Sequence, residues 1–237
     1  MRLSLFPTDD SPVRSRSEPT DPGDRAEGVE GAVVKVPDFD ALYAADPDPF
    51  HVRSSFYEQR KIGLILNCLT KPTYEAAWDP ACGVGELAAR VADRAERVLA
   101  SDASAQAVHL TRRRCSSTRN VEVMQLPLPQ CPPDDNDPFD LIVVSEFVYY
   151  LPEPTRRSTL EVLHAASAEG GELVAVHWRH HPQDAYISGE QVQEEVVSGL
   201  EPLGWRHVVQ HDDRDFIIDV LERPGHPAIA GRRQPAV

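Results

Sequence analysis

The chain has 237 residues, 41% of them hydrophobic, and a formal net charge of −14, enough length for one sizeable core. That acidic balance excludes a nucleic-acid groove and an anionic membrane surface as expected partners, because both reward clusters of Lys and Arg. The 4 cysteines show no CxxC spacing and, with no secretory signal, read as reduced thiols. The apolar runs are too short to span a bilayer, so a soluble, cytoplasmic protein is expected.

Residues 1–38 mix prolines, both charge signs and Ser/Thr with few large apolar side chains, and residues 224–237 do the same. Such segments cannot bury enough surface to offset their ordering entropy and are expected to be disordered, leaving a single folded domain over 39–223. That domain opens with Phe39-Asp40-Ala41-Leu42-Tyr43. Ser55 and Glu58 then have the spacing of a capping box, which predicts a helix from about Phe56 with Phe56, Ile62, Leu66 and Leu69 on one face. Arg53, Tyr57 and Lys61 on the same stretch admit two accounts. Spacing alone favours a solvated helix start with a core-edge tyrosine; the alternative is a lid in which Arg53 meets a ligand carboxylate.

Tyr74 to Asp102 reads as strand, glycine turn, helix and second strand. Asp79 closes the first strand, Gly83 and Gly85 allow a tight turn, Glu86 to Ala95 has helical spacing, and Arg97 to Ala100 is a short buried strand. Asp102 follows 17 residues after Gly85. A missing Cβ lets a ligand approach the backbone, and an acid ending the second strand can accept hydrogen bonds from ribose hydroxyls. Two nucleoside cofactors compete for this unit. Gly83-Val84-Gly85-Glu86-Leu87-Ala88 satisfies the dinucleotide fingerprint, but Asp79 would repel a pyrophosphate. S-adenosylmethionine has no phosphate and carries a sulfonium and an ammonium, so Asp79-x-Ala81-x-Gly83-x-Gly85 suits it better.

Further along, Ser104 caps a helix bearing Ala107, Val108 and Leu110, and Val121 to Gln125 is a third strand. Gln125 and Leu126 are the adenine-contact candidates after it. Asp140 to Ser145 is a continuous apolar run, as expected of a central strand covered on both faces. It ends in Ser145-Glu146-Phe147-Val148-Tyr149-Tyr150, at the strand ends where open α/β sheets bind ligands. Glu146 either lies beside the reacting methyl or bonds the amides of the following turn. A helix over about Thr155 to Ala168, a Gly170-Gly171 turn and a fifth strand, Leu173 to Trp178, come next. His177, Trp178, Arg179, His180 and His181 sit at that strand's end. No Cys or paired carboxylate completes a metal ligand set, so a polar substrate rim is expected there and no metal. A helix over Gln191 to Leu200 precedes a hairpin of Trp205 to Gln210 and Asp215 to Leu221. A parallel sheet ending in an antiparallel hairpin favours S-adenosylmethionine over a dinucleotide.

Three stretches carry a more specific likeness: ADPDPFHVRSSFYEQRK at Ala45 to Lys61, DLIVVSEFVYYL at Asp140 to Leu151, and GGELVAVHWRH at Gly170 to His180. Over roughly Phe39 to Arg223 the chain resembles bacterial methyltransferases related to the nodulation N-methyltransferase NodS. The resemblance implies a Rossmann-like class I methyltransferase fold, a mostly parallel seven-stranded sheet with helices on both faces. It implies cofactor contacts at Asp79, Gly83, Gly85 and Asp102, with the segment around Arg53 and Tyr57 covering the cofactor; Ala81, Gln125, Leu126 and Ser145 join the expected contacts by their place at the glycine turn and strand ends. Acceptor contacts would fall on Tyr149, Tyr150, Trp178 and Arg179, with Glu146 or His177 accepting a proton. Relatives often carry Gly-Asp-x-Val-His where this chain has Gly189-Glu190-Gln191-Val192-Gln193, which puts the shared acceptor in question. The turn also looks like that of adenine-N6 DNA methyltransferases, but Ser145-Glu146-Phe147-Val148 replaces their Asn/Asp-Pro-Pro-aromatic motif. The expected activity is methyl transfer from S-adenosylmethionine to a small-molecule or sugar-like acceptor, with an amine nitrogen favoured. An O-methyltransferase, an NAD-type oxidoreductase and a non-catalytic cofactor-binding subunit remain as alternatives.

Overall fold

The computed structural model describes residues 34–133 and 137–225. The expected disorder of the arm up to residue 33, and of the tail from residue 226, lies outside the described residues. In chain order the first half comprises α1 (Phe39–Ala45), α2 (Phe56–Cys68), β1 (Tyr74–Asp79), α3 (Glu86–Val91), β2 (Ala95–Asp102), α4 (Ala105–Arg114) and β3 (Val121–Gln125). The second half adds β4 (Phe139–Ser145), α5 (Glu153–Ala166), β5 (Ser167–Trp178), α6 (Gly189–Leu200), β6 (Arg206–Asp212) and β7 (Phe216–Glu222).

The strands form one sheet in the order β3-β2-β1-β4-β5-β7-β6. β1 to β5 run parallel, while β7 enters antiparallel between β5 and β6. Period-two alternation divides the core. In β4, Leu141 and Val143 join Ile62 and Ile65 of α2 and Leu87 and Val91 of α3 on one face. Ile142 and Val144 join Leu163 of α5 and Val192, Val196 and Leu200 of α6 on the other. This is the mixed seven-stranded sheet, covered on both faces, that the sequence predicts.

Four local expectations are corrected. α3 ends at Val91 rather than Ala95, because Ala95 pairs with Tyr74 as the first residue of β2; the Asn120 amide fixes this exit by donating to the Ala92 and Ala95 carbonyls at 2.9 and 2.8 Å. Gly170 and Gly171 do not precede β5 but lie within it, where Gly170 takes a φ of +72° and its N–H donates to the Arg223 carbonyl at 2.9 Å. Ser55 stands at the N-terminus of α2 without a side-chain cap, since Glu58 turns inward to Lys61. Ile62, Leu66 and Leu69 do face the core, but Phe56 is 82% exposed, and Glu58, Lys61 and Ile65 share the buried side with them.

Candidate active site

The strand order reverses between β1 and β4, and a crevice at such a switch point is where open α/β sheets take ligands. Here the carboxyl ends of β1, β2 and β4 open into a cavity of about 330 Å³. Of the residues singled out in the sequence, Asp79, Ala81, Gly83, Asp102, Ser145, Glu146, Tyr149 and Tyr150 line it.

Asp79 is buried at the end of β1, and its Oδ2 has no hydrogen-bond partner among the described residues. Burial, reinforced by the neighbouring Asp102 charge, pushes its carboxyl up to about 7. Asp102 accepts from the Gly83 N–H at 3.0 Å and the Ser104 N–H at 2.9 Å, bonds that hold the glycine turn against β2. Burial nonetheless raises its carboxyl above the ordinary carboxylate range. The two glycines have different reasons. Gly83, with φ of +53°, lines the cavity beneath Tyr43, whose hydroxyl a Cβ would meet at 2.9 Å. Gly85 lies outside the lining; its φ is +76° and a Cβ would strike Thr111 of α4 at 2.8 Å, so helix packing, not ligand approach, demands it.

Glu146 is the best-connected group. It follows β4 with a left-handed φ of +59°, uncommon for a side chain of its size. Its Oε1 accepts from Lys61 Nζ at 2.6 Å. Its Oε2 accepts from the Tyr149 hydroxyl at 2.6 Å and the Trp178 N–H at 2.8 Å. Burial opposes its charge, but Lys61, His177 and these bonds outweigh it and hold the carboxyl below its usual range. Lys61 is itself buried and also donates to Glu58 at 3.0 Å.

Other expected residues lie outside the cavity lining. Arg53 is exposed and faces a separate depression with Arg113 and Arg114. Tyr57 packs edge-on to Phe216, with the Lys61 ammonium 5.0 Å from its ring centre. Gln125 is exposed and donates to the Ala103 carbonyl at 2.8 Å, and Leu126 is buried in the core; Ala103 and Leu128 line the cavity there. Arg179 is bound at the surface by Glu190 and Asp212, at 3.0 and 2.9 Å. Trp178 contributes its backbone N–H to Glu146. His177 is fully buried, with Nδ1 2.9 Å from Gln193 Oε1; burial lowers its pKa to about 4. Gln193 also donates to Asp219 at 2.7 Å, so the residue that departs from the relatives' histidine sits behind the wall.

Sequence reasoning missed the roof and the ammonium. Phe39 and Tyr43 of α1, with Phe50 and Val52, close over the cavity. α1 is held because Asp40 accepts from the Ser104 hydroxyl at 2.6 Å and the Gln106 N–H at 3.1 Å. The aromatic pair at i and i+4 was the available signal for an apolar stripe. The sequence places Lys61 only in a solvated helix start or lid, and Glu58 only in a capping box; that the two meet inside is hidden because an i,i+3 pair of opposite charge is ordinary on a helix surface.

The cavity suits a cationic nucleoside. A buried carboxylate oxygen without a partner is matched to an ammonium, and an acid at the end of β2 to ribose hydroxyls. Together with the sheet order, this defines a class I S-adenosylmethionine-dependent methyltransferase. Residues 77–171 match the family model of a methyltransferase domain. A structure assigned as a methyltransferase from Pseudomonas syringae is 33% identical, with a TM-score of 0.61, covering 71% of this chain and 100% of that one. The chain belongs to this methyltransferase family. At the level of fold it is also similar to the N-methyltransferase NodS of Bradyrhizobium japonicum in complex with S-adenosylhomocysteine (20% identity, TM-score 0.68, 78% and 96% of the two chains). A DhpI–S-adenosylhomocysteine complex shares the fold too (22% identity, TM-score 0.61, 79% and 93%). Comparison with curated proteins gives no match. Among the described residues no helix is long and apolar enough to cross a membrane.

Proposed function

We propose that this enzyme methylates the nitrogen of an amine on a small or sugar-like acceptor; NodS, which shares the fold, is named an N-methyltransferase. The observation that carries the reading is the state of Glu146. Three donors reach its two oxygens, whereas a carboxylate offers about four acceptor positions. One position therefore remains on a charged oxygen in a cavity walled by Phe147, Tyr149 and Tyr150. An amine N–H fills that position, and the aromatic faces favour its partial positive charge. A carboxylate acceptor would be repelled.

On this reading Asp79 takes the ammonium of S-adenosylmethionine and Asp102 its ribose hydroxyls. When bound, that cofactor supplies an electrophilic methyl group. The residues contribute alignment: Glu146 orients the acceptor nitrogen, and α1 excludes water from above. The Glu146 oxygens are engaged by three donors and buried His177 is committed to Gln193, so on this reading the amine arrives deprotonated from solvent. The rate should accordingly rise with pH as the amine loses its proton.

A screen with methyl-labelled S-adenosylmethionine over amino sugars, free amines, hydroxylated metabolites and carboxylic acids tests the reading. Labelled nitrogen is the expected product; label on oxygen or carbon would refute the amine acceptor and leave the methyltransferase class intact. Glu146→Gln should lower kcat by about 10–100-fold, the loss of one charge-assisted bond. A general base would lose about 10²–10⁴-fold.

A further inference from the structure

A lysine ammonium buried at an active-site wall needs an account that packing does not give. Lys61 reaches this position from the second turn of α2, with its side chain 3% exposed. It bridges Glu58, whose side chain is 7% exposed, and Glu146, which follows β4. We propose that Lys61 is a positioning residue of the methyl-transfer site: it pins the Glu146 carboxylate, in its charged form, against the cavity wall. Only the value of that carboxylate to the acceptor rests on the amine reading above; the pinning itself does not.

The geometry has three parts. Glu146 sits on a left-handed backbone, a conformation that persists only where its surroundings over-determine it. The Lys61, Tyr149 and Trp178 donors approach from α2, from the turn after β4 and from β5, so the side chain is held from three sides. The second carboxylate, Glu58, gives the ammonium a partner on its own helix and keeps it charged. The titratable groups facing this cluster are Tyr57 and Glu58 of α2, Asp48 of the loop before it, Tyr149 of the turn and His177 of β5. None but Lys61 is a cation at neutral pH. Without it, the carboxylates of Glu58 and Glu146, both within 3.0 Å of the ammonium, would be left close together with little water, and at least one would take up a proton.

The test reads the carboxyl directly and needs no acceptor, so its failure is separable from that of the amine reading. Protein carrying ¹³C-carboxyl glutamate is titrated by NMR, with Glu146→Gln identifying the signal. S-adenosylhomocysteine binding, measured by calorimetry, confirms that each variant is folded. In the parent protein Glu146 should stay ionised through the neutral range. In Lys61→Met its midpoint should rise by about 1–3 pH units, and in Lys61→Arg it should stay low. Should Lys61→Met not fold, Glu58→Met/Lys61→Met replaces the pair by apolar side chains, a change often tolerated, and a rise in the same direction is expected, smaller because the Glu58 charge is gone as well. An unmoved midpoint in a folded methionine variant would overturn the proposal. So would a rise in Lys61→Arg as large as that in Lys61→Met, because the cation would then be irrelevant.

Discussion

Asp79 and Asp102 end adjacent strands and face one cavity, yet their surroundings differ. Asp102 is bonded by two backbone amides, whereas the Asp79 Oδ2 is bare. The Asp79 carboxyl is held at about 7 in the folded protein, against about 3.9 unfolded. The folded state therefore binds this proton more tightly. Its contribution to ligand-free stability is full below about pH 3.9 and is lost as pH rises to about 7. Urea unfolding across that window should show the decline, and Asp79→Asn should remove it. Asp102→Ala should weaken S-adenosylmethionine binding by about 1.5–3 kcal/mol in calorimetry; wild-type affinity would refute the ribose contact. Gly85→Ala should leave that affinity largely intact but cost about 1–3 kcal/mol of folding stability, because φ is positive and Thr111 occupies the Cβ position. Asp79 and Asp102 were legible because strand ends and glycine spacing mark them. The reason for Gly85 was not, because only the packing of α4 reveals that Thr111 lies above it.

At the scale of elements, the sequence admitted a lid over Arg53 to Lys61 as the alternative to a solvated helix start, and the cavity is roofed one helix earlier. α1 buries none of its residues fully, so it rests on the cavity more than it belongs to the core. Its attachment runs through Asp40 to Ser104 and Gln106. Asp40→Ala should raise hydrogen exchange across residues 39–45 and weaken S-adenosylhomocysteine binding, while exchange in β4 stays slow. Unchanged exchange in α1 would show that other contacts hold the roof. The strands were the most readable elements, since β3 and β4 alternate or run apolar over lengths that leave no other choice. Helix ends were less so: Ala95 reads as helical by spacing, but strand pairing with Tyr74 overrides local preference.

In the whole molecule, the last strand among the described residues is not at the edge of the sheet. β7 lies between β5 and β6, with Phe216, Ile218, Val220 and Leu221 fully buried. A chain ending at Arg214 should therefore fail to reach the native fold, as judged by circular dichroism and loss of exchange protection in β5, although every cavity-lining residue precedes it. The hairpin was legible from its alternation; its insertion beside β5 follows from the methyltransferase likeness and not from any local signal. Among the described residues, the carboxyl groups of Glu58, Asp79, Glu86, Asp102 and Glu146 line the cavity, offset by the Lys61 ammonium and by Arg114 behind Glu86, so the lining is acidic on balance. Walls of one sign focus their field on the opening and speed the arrival of cations. S-adenosylmethionine carries a net positive charge at neutral pH, while S-adenosylhomocysteine, having lost the sulfonium, carries none. The same walls that draw the cofactor in thus hold its spent form less firmly, which favours exchange after each turnover. Stopped-flow association of S-adenosylmethionine should slow as ionic strength rises, and that of S-adenosylhomocysteine should barely change.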